Sequence, residues 1–232
     1  PLKGVLKNGR LYGRGSTDMK SGIAAMLLAA TRKKIPTNTA FLFYIDEEYN
    51  FAGIKKFISN YRGKIAPKTI ISLDGSELKI ANGCRGLIEI EIIIGGLSAH
   101  AANPKNGRNA ILIAYKVYQG LEKYISKFSD PKLGNSTINL GKIFGGITPN
   151  VIPDSCSLLL DIRPASPLLN AQKVEAEINR LVKLNLGTLK SLKTNFDFPL
   201  WLTPKSKIKT TLPFKNLSGS GYIDIALLWE AF

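Results

Sequence analysis

The spacing of apolar residues predicts an α/β layer in the N-terminal part of the chain. Residues 20–33 carry apolar side chains at helical spacing, and Pro36 stops this helix. Residues 39–45 and 68–73 are runs rich in apolar residues, which is typical of strands buried on both faces of a parallel sheet. A helix over residues 49–61 separates the two runs. Strand, helix and strand in this order indicate a mostly parallel sheet flanked by helices.

After Gly83 the pattern changes to one in which strands have one solvated face. Residues 86–94 begin with alternating apolar and polar side chains, as expected for such a strand. The pattern then predicts a helix over 109–127, strands over 137–144 and 155–162, a helix over 171–184 and a strand over 189–196. The order β-α-β-β-α-β is that of a ferredoxin-like domain. We therefore expect two domains, one from residues 1–83 and 198–232, and one inserted into it from residues 84–197.

The chain is strongly basic, with 32 Lys and Arg against 17 Asp and Glu and a formal net charge of +15. A nucleic-acid partner or an anionic substrate would explain this charge. The lysines are dispersed, however, and no RNA-binding aromatic motif accompanies them, so a lysine-rich solvated surface is the favoured interpretation. Hydrophobic residues make up 44% of the sequence, which is enough for a packed core.

The cysteines bear on the cellular compartment. Cys84 and Cys156 form neither a CxxC pair nor a disulfide framework, so we expect buried thiols in a reducing, cytoplasmic compartment. No apolar run approaches the roughly 18 residues of a membrane-spanning helix, and no membrane contact is expected. No signal peptide is visible, although the chain begins at Pro1 rather than at a methionine.

Carboxylates lie at the ends of predicted elements at three places. Asp18 lies in a glycine-rich turn before the first helix, Glu47 and Glu48 follow the first predicted strand, and Asp74 follows the second. In open α/β sheets, ligands bind beyond the carboxyl ends of the strands. Carboxylate oxygens bind zinc and harder cations, and one of two adjacent glutamates can remain a free base. The alternative is a pair of solvated acids at a helix N-terminus, where the helix dipole favours them.

Short motifs along nearly the whole chain carry a resemblance to a known family. They are Gly13–Gly22 (Gly-Arg-Gly-Ser-Thr-Asp-Met-Lys-Ser-Gly), Asp46–Glu48, Gly96–His100, Asn150–Asp154, Asp161–Arg163 and Ser218–Asp224. In sequence and in order they resemble the motifs of the dinuclear-zinc amidohydrolase and metallopeptidase family. That family includes succinyl-diaminopimelate desuccinylase, acetylornithine deacetylase, aminoacylase and carboxypeptidase G.

The resemblance implies a role for each of the acidic residues. Asp18 would bridge two divalent metal ions, and the peptide bond that follows it would be cis. Glu47 would be the general base and Glu48 a metal ligand. Asp74 would bind the other metal, with Glu77 as its rival because the strand end reads Asp-Gly-Ser-Glu. Zinc is the expected metal, with cobalt or manganese as alternatives.

The resemblance also implies that the inserted domain is a lid through which two subunits pair. His100 would reach from this lid into the neighbouring subunit's site and stabilise the oxyanion of the reaction. Arg85, Asn150 and Arg163 are weaker candidates for contacts with the substrate or within the structure. Arg163 could equally form an ion pair with Asp161.

The family pattern is incomplete in this chain. The His-x-Asp motif and the last histidine ligand of the family have no counterpart, because His100 is the only histidine. We therefore expect a fragment of a longer enzyme, cut at both ends, with weak metal occupancy and little activity of its own. The intact enzyme would hydrolyse the amide bond of an N-acyl amino acid or a small peptide. The alternatives are a non-catalytic dimeric relative that keeps the fold and a basic nucleic-acid-binding module.

Overall fold

Contacts divide the chain into two compact units. The computed structural model describes residues 3–32, 35–74, 78–222 and 224–232. The first unit comprises Pro1–Ile80, Lys209–Lys215 and Ile223–Phe232, and the second comprises Ala81–Ile208 and Asn216–Tyr222. Residues 198–208 and 216–222, which the sequence analysis places with the first domain, have their contacts in the second unit.

Helices and strands are numbered in chain order. The helices are α1 (Lys20–Ala30), α2 (Ala52–Tyr61), α3 (Ala110–Ile125), α4 (Ala171–Leu184) and α5 (Ile225–Ala231), with 3-10 turns at Pro104–Asn106 and Lys205–Lys207. The strands are β1 (Val5–Lys7), β2 (Arg10–Tyr12), β3 (Gly83–Cys84), β4 (Leu87–Gly95), β5 (Ser129–Asp130), β6 (Gly134–Asn135), β7 (Thr137–Gly145), β8 (Ser155–Arg163), β9 (Thr188–Phe198) and β10 (Trp201–Leu202). Within the described ranges, no helix is long and apolar enough to cross a bilayer.

The second unit is built on an antiparallel four-stranded sheet in the order β7-β8-β4-β9. Along β8, buried and half-buried residues alternate, so one face of the sheet is turned towards a core. Helices α3 and α4 contribute to that core, which includes the fully buried Ile90, Val117, Leu160 and Ile178. The result is a layer of helices packed on a layer of sheet, with elements in the order β4-α3-β7-β8-α4-β9.

Both helices of this unit begin at an asparagine, at the positions that the sequence predicts. Oδ1 of Asn109 accepts hydrogen bonds from the amides of Ile111 at 2.9 Å and Leu112 at 3.3 Å. Oδ1 of Asn170 accepts one from the amide of Lys173 at 3.0 Å. These bonds satisfy amide groups that the first turn of a helix leaves without a partner.

The segment after β9 stays with the second unit because it pairs there. Strand β10 runs antiparallel to β3, with Trp201 opposite Cys84. Further on, the side chain of Arg85 donates from Nε to the carbonyl of Ser220 at 2.7 Å. Backbone pairing and a buried arginine thus hold residues that the apolar pattern alone cannot assign.

The first unit contains the β1–β2 hairpin and the helices α1, α2 and α5. Helix α5 packs against α2, and the ring centroids of Phe57 and Phe232 lie 6.0 Å apart. Ile54 of α2 and Ala226 of α5 are fully buried. The apolar residues at the start of α5 therefore support the core of this unit.

The α/β class is confirmed, but the parallel sheet predicted for the first unit is wrong for the part of the chain that the structure describes. Residues 39–45 and 68–73 form no strand there, and the isolated parallel bridge of this unit joins neither run. Ile45 is 79% exposed and Ile71 is 76% exposed, so the runs are not buried on both faces. An apolar run indicates a propensity to form a strand, but a strand forms only where a second segment pairs with its backbone.

Candidate active site

Helix α1 approaches the segment that ends at Asp74 very closely, and Gly22 permits this approach. A Cβ atom at position 22 would lie 2.7 Å from the carbonyl oxygen of Leu73. Asp18 lies in the turn that leads into α1, and its peptide bond to Met19 is cis, as the family resemblance implies. The packing of α1 on residue 73 therefore places Asp18 and Asp74 in one neighbourhood.

The segment that carries Glu47 and Glu48 is held by the first turn of α2. The amide of Phe51 donates to the carbonyl of Asp46 at 2.8 Å, and the amide of Gly53 donates to the carbonyl of Ile45 at 3.2 Å. The carboxylate of Asp46 accepts from the amide at position 52 at 3.3 Å. The carboxylate of Asp46 therefore binds the start of the helix, and Glu47 and Glu48 stay the predicted site residues of this segment.

Phe51 delays the start of α2. This residue has a φ of 57°, in the left-handed region, so the helix begins at Ala52 rather than at the predicted residue 49. A Cβ atom on Gly53 would lie 2.6 Å from the carbonyl oxygen of Ile45, so a glycine is required for the close contact. Phe51 and Gly53 therefore determine the shape of the turn that contains Glu47 and Glu48.

The carboxylates of the first unit interact electrostatically. Burial, followed by the negative charges of Asp224, Glu48, Asp74 and Asp18, raises the pKa of Glu47 to about 7. Burial raises the pKa of Asp74 as well, and here the charge of Asp18 is the strongest electrostatic contribution. Mutual repulsion between such carboxylates disfavours their full ionisation, which a shared proton or a bound cation would relieve. The predicted acids Asp18, Glu47, Glu48 and Asp74 thus lie within electrostatic range of one another, and we call them the acidic cluster.

Asp224 belongs to this acidic cluster, and the sequence analysis did not count it among the site residues. It is 2% exposed, and its Oδ2 accepts a hydrogen bond from the hydroxyl of Tyr44. Burial raises the pKa of Asp224, while the Tyr44 hydrogen bond opposes the increase. A signal was present in the sequence, because an acid directly before a buried apolar helix, at the end of the motif Ser218–Asp224, needs a partner.

The acidic cluster has the donor type of a metal centre but not its geometry. Carboxylate oxygens suit hard divalent cations and zinc. Among the residues that the structure describes, however, no three His, Cys, Asp or Glu side chains lie close enough together to hold a metal ion. Glu77, the alternative to Asp74 as a ligand, lies outside the described residues. The described residues therefore do not form a complete metal centre.

His100 lies in the second unit, next to Asn150. It forms an antiparallel bridge with Val151, and the amide of Ala101 donates to the carbonyl of Asn150 at 2.9 Å. Nδ1 of His100 accepts a hydrogen bond from the amide of Ala102 at 3.1 Å. A neutral imidazole that accepts at Nδ1 carries its proton on Nε2, so the exposed ring can donate a hydrogen bond from that nitrogen.

Arg85 and Arg163 already have partners within the second unit. Arg85 is 8% exposed and donates to the carbonyls of Asn135, Gly219 and Ser220 and to the hydroxyl of Thr137. Arg163 forms a bidentate ion pair with Asp161, in which Nε donates to Oδ1 at 2.7 Å and Nη2 donates to Oδ2 at 2.8 Å. Burial, followed by the nearby charge of Arg163, lowers the pKa of Arg85. These contacts give both arginines a structural role, and their contact with a substrate stays a prediction.

Comparison with known protein families identifies a domain within the second unit. Residues 82–188 match the peptidase dimerisation domain. The chain is 32% identical over 224 residues to an acetylornithine deacetylase from Buchnera aphidicola subsp. Schizaphis graminum, covering 89% of this chain and 57% of that protein. It is 31% identical over 185 residues to a protein named probable carboxypeptidase from Aspergillus clavatus, covering 75% and 44%. The chain thus spans about half the length of the curated relatives it matches.

Solved structures share the fold. The aminopeptidase PepT from Bacillus cereus superposes with a TM-score of 0.72 at 22% identity, over 99% of this chain and 65% of that chain. A tripeptidase from Staphylococcus aureus superposes with a TM-score of 0.66 at 23% identity, over 88% and 56%. The family resemblance drawn from the sequence motifs is confirmed: this chain belongs to the family of amidohydrolases and peptidases that carry the peptidase dimerisation domain, together with the acetylornithine deacetylases and carboxypeptidases.

Proposed function

We propose that this chain carries the general base and most of the acidic cluster of a metal-dependent enzyme that hydrolyses the amide bond of N-acyl amino acids or small peptides. One observation carries the proposal. Carboxylates from four separate segments, Asp18, Glu47 with Glu48, Asp74 and Asp224, interact in the first unit. The chain is also similar to relatives named acetylornithine deacetylase and probable carboxypeptidase. Folding alone gives no reason to gather like charges.

The proposed chemistry assigns the proton transfer to Glu47. Its carboxylate removes a proton from water as the water oxygen bonds to the amide carbonyl carbon. The carbon–nitrogen bond then breaks, and the proton passes to the leaving amine. Glu48, Asp18 and Asp74 are assigned to cation binding.

His100 is assigned to the oxyanion. A tetrahedral intermediate places negative charge on the former carbonyl oxygen, and a positioned N–H donor stabilises that charge. The protonated Nε2 of His100 is a donor of this kind, since Nδ1 accepts a backbone hydrogen bond. We assign His100 to the site of the partner subunit. Arg85, Asn150 and Arg163 stay weaker candidates for contacts with the substrate.

Two relatives of similar identity support this substrate class. The one at 32% is named acetylornithine deacetylase and the one at 31% probable carboxypeptidase. Both names describe cleavage of an amide bond in a small amino-acid derivative or peptide. A net charge of +15 suits substrates that carry a carboxylate.

The cofactor proposal is two divalent ions, zinc by preference and cobalt or manganese as substitutes. Because the described residues do not complete a metal centre, it rests on the acidic donors and on the family alone. Metal content of the purified protein, measured by mass spectrometry after dialysis, tests it. The two buried cysteines, which form no disulfide, support a reducing, cytoplasmic location.

The second unit is proposed to be a lid of ferredoxin-like topology that pairs two copies of the chain. Its antiparallel strand order and its match to the peptidase dimerisation domain support this proposal. Strand β7 lies at an edge of the sheet, so its outer backbone groups face no neighbouring strand of this sheet. Phe144 and Ile147, at the end of this strand and just beyond it, are 69% and 95% exposed.

The test of the hydrolase proposal is a comparison of Glu47→Gln with the parent. The assay offers N-acetyl and N-succinyl amino acids, dipeptides and tripeptides, with added zinc, cobalt or manganese. It uses the 232-residue chain and, where the gene continues beyond these residues, the complete translated protein. Loss of a general base is expected to lower kcat by a factor of about 100–10,000 with a smaller change in KM. Glu91→Gln, on the sheet of the second unit, is the matched control and is expected to keep the parent rate.

Hydrolysis that survives Glu47→Gln would contradict the assignment of the base. No hydrolysis of any of these substrates by the complete protein with metal would instead favour the non-catalytic relative. Binding of duplex DNA or RNA that weakens steeply with added salt would favour the nucleic-acid module.

A further inference from the structure

A partly buried hydrogen bond joins the segment that carries Glu47 and Glu48 to the start of helix α5. The hydroxyl of Tyr44 donates a hydrogen bond to Oδ2 of Asp224, a residue 180 positions further along the chain. Asp224 is 2% exposed, so its carboxylate is removed from water. A buried carboxylate is costly unless a donor satisfies it, and hydrogen bonds to charged acceptors are among the strong ones.

Helix α5 is a firm support for this contact. Ile225 and Leu228 are 6% and 9% exposed, and the last residue, Phe232, packs its ring near Phe57 of α2. Asp224 directly precedes this helix. Its carboxylate therefore has little freedom to move away from the core of the first unit.

The segment from Tyr44 to Glu48 has few other means of support. Residues 39–45 belong to no strand within the described chain, so no sheet ladder fixes the approach to Glu47. The amides at the start of α2 bind the carbonyls of Ile45 and Asp46. The hydrogen bond from the Tyr44 hydroxyl adds an anchor at Asp224, directly before helix α5. This anchor lies on the N-terminal side of the two glutamates.

We propose that Asp224, acting through the Tyr44 hydroxyl, is a positioning residue that holds Glu47 and Glu48 in place within the acidic cluster. The importance of those two glutamates rests on the proposed function, whereas the anchoring does not. Asp224 in this role touches neither substrate nor metal. The hydrogen bond to Asp224 restricts the backbone of the segment that precedes α2. The carboxylates of Glu47 and Glu48, three and four residues after Tyr44, therefore keep one location.

Two substitutions separate this role from a role of the Asp224 charge. Asp224→Asn keeps an oxygen that can accept from the Tyr44 hydroxyl but removes the negative charge. Tyr44→Phe removes the donor and keeps the charge. The hydrogen bond predicts loss of order in Tyr44→Phe and rescue in Asp224→Asn, whereas a role of the charge predicts the reverse.

Hydrogen–deuterium exchange of the metal-free protein measures the position of the segment directly. The amides of Phe51, Ala52 and Gly53 donate to Asp46 and Ile45, so their exchange reports whether the segment stays in place. We expect about tenfold faster exchange at these amides in Tyr44→Phe and in Asp224→Ala, and exchange close to that of the parent in Asp224→Asn. Tyr61→Phe, which removes a hydroxyl at the end of α2, is the control and should leave these rates unchanged.

Unchanged exchange in Tyr44→Phe would overturn the proposal. So would equal acceleration in Tyr44→Phe and Asp224→Asn, which would assign the effect to the charge, and acceleration over all of α1, α2 and α5, which would indicate general unfolding of the unit. The exchange experiment needs neither metal nor substrate. A failure of the hydrolase assay and a failure of this proposal are therefore separate results.

Discussion

At the scale of single residues, glycines decide how closely the acidic segments approach each other. Gly22 brings α1 against Leu73, and Gly53 brings α2 against Ile45. Each of these contacts is with a backbone oxygen, which cannot move aside as a flexible side chain can. The charge of Asp18 raises the pKa of Asp74, and we expect this interaction to weaken if the first of these contacts is lost.

The substitution Gly22→Ala tests whether the close approach of α1 to Leu73 requires a glycine. In an open helix interior, alanine would add about 1 kcal/mol of stability over glycine. Here its Cβ would lie 2.7 Å from the Leu73 carbonyl oxygen and 3.0 Å from Leu73 Cβ. Overpacking of this kind costs about 1–3 kcal/mol. We expect the free energy of unfolding to fall by about 1 kcal/mol in urea titrations, and Asp18 to move away from Asp74.

Gly221→Ala is the matched control, because nothing lies within 4 Å of its added Cβ. It should leave the unfolding midpoint close to that of the parent. A more stable Gly22→Ala protein would show that α1 can shift without cost and that the close approach is not required.

At the scale of elements, helix α4 carries an ion pair along its own surface. Glu177 accepts from Nε and Nη2 of Arg180 at 2.8 and 2.6 Å. The hydrogen bond with Arg180 lowers the pKa of Glu177, although burial opposes the effect. A lowered folded-state pKa means that the stabilising contribution is complete above the unfolded pKa and is lost as the pH falls through the folded pKa.

The expected result of Glu177→Gln follows from this sign. At pH 7 the substitution should lower the free energy of unfolding by about 0.5 kcal/mol, which is typical of a helical ion pair near the surface. The difference from the parent should shrink as the pH falls below the unfolded pKa of a glutamate and vanish below the folded pKa. Thermal unfolding across this acid range measures it. A loss that stays constant with pH would show that packing, rather than charge, accounts for the contribution.

At the scale of the whole molecule, the sheet of the second unit ends in strand β7, which is nine residues long. An exposed edge of this length is a template for pairing with another chain unless it is covered. Because residues 82–188 match the peptidase dimerisation domain, the partner that we propose for this edge is a second copy of the chain. Ile143, Phe144 and Ile147 expose apolar surface at the end of this edge.

Phe144→Asp should weaken a homodimer that forms at this edge. A charge at a side chain that is 69% exposed in one copy costs little in the monomer, but it would be desolvated between two copies. We expect a rise in the dimer dissociation constant of at least about tenfold, measured by sedimentation equilibrium. Leu168→Asp, at an apolar residue of the same unit that is 64% exposed, is the control. Equal dimerisation of parent and Phe144→Asp would place the interface elsewhere.

The sequence by itself determined the family, the α/β class, the helices of the second unit and the identity of most of the acidic residues. These features depend on local information, such as helical periodicity, asparagine caps and short motifs around Asp18, Glu47 and His100. The tertiary structure decided which acids come within electrostatic range of one another. It assigned Asp46 to the start of α2, added the buried Asp224 through Tyr44, and gave the Arg163 side chain to Asp161. It also left the apolar run at residues 39–45 without strand pairing in the described chain. Such outcomes depend on which distant segment supplies a partner, and that information is carried by packing rather than by local pattern.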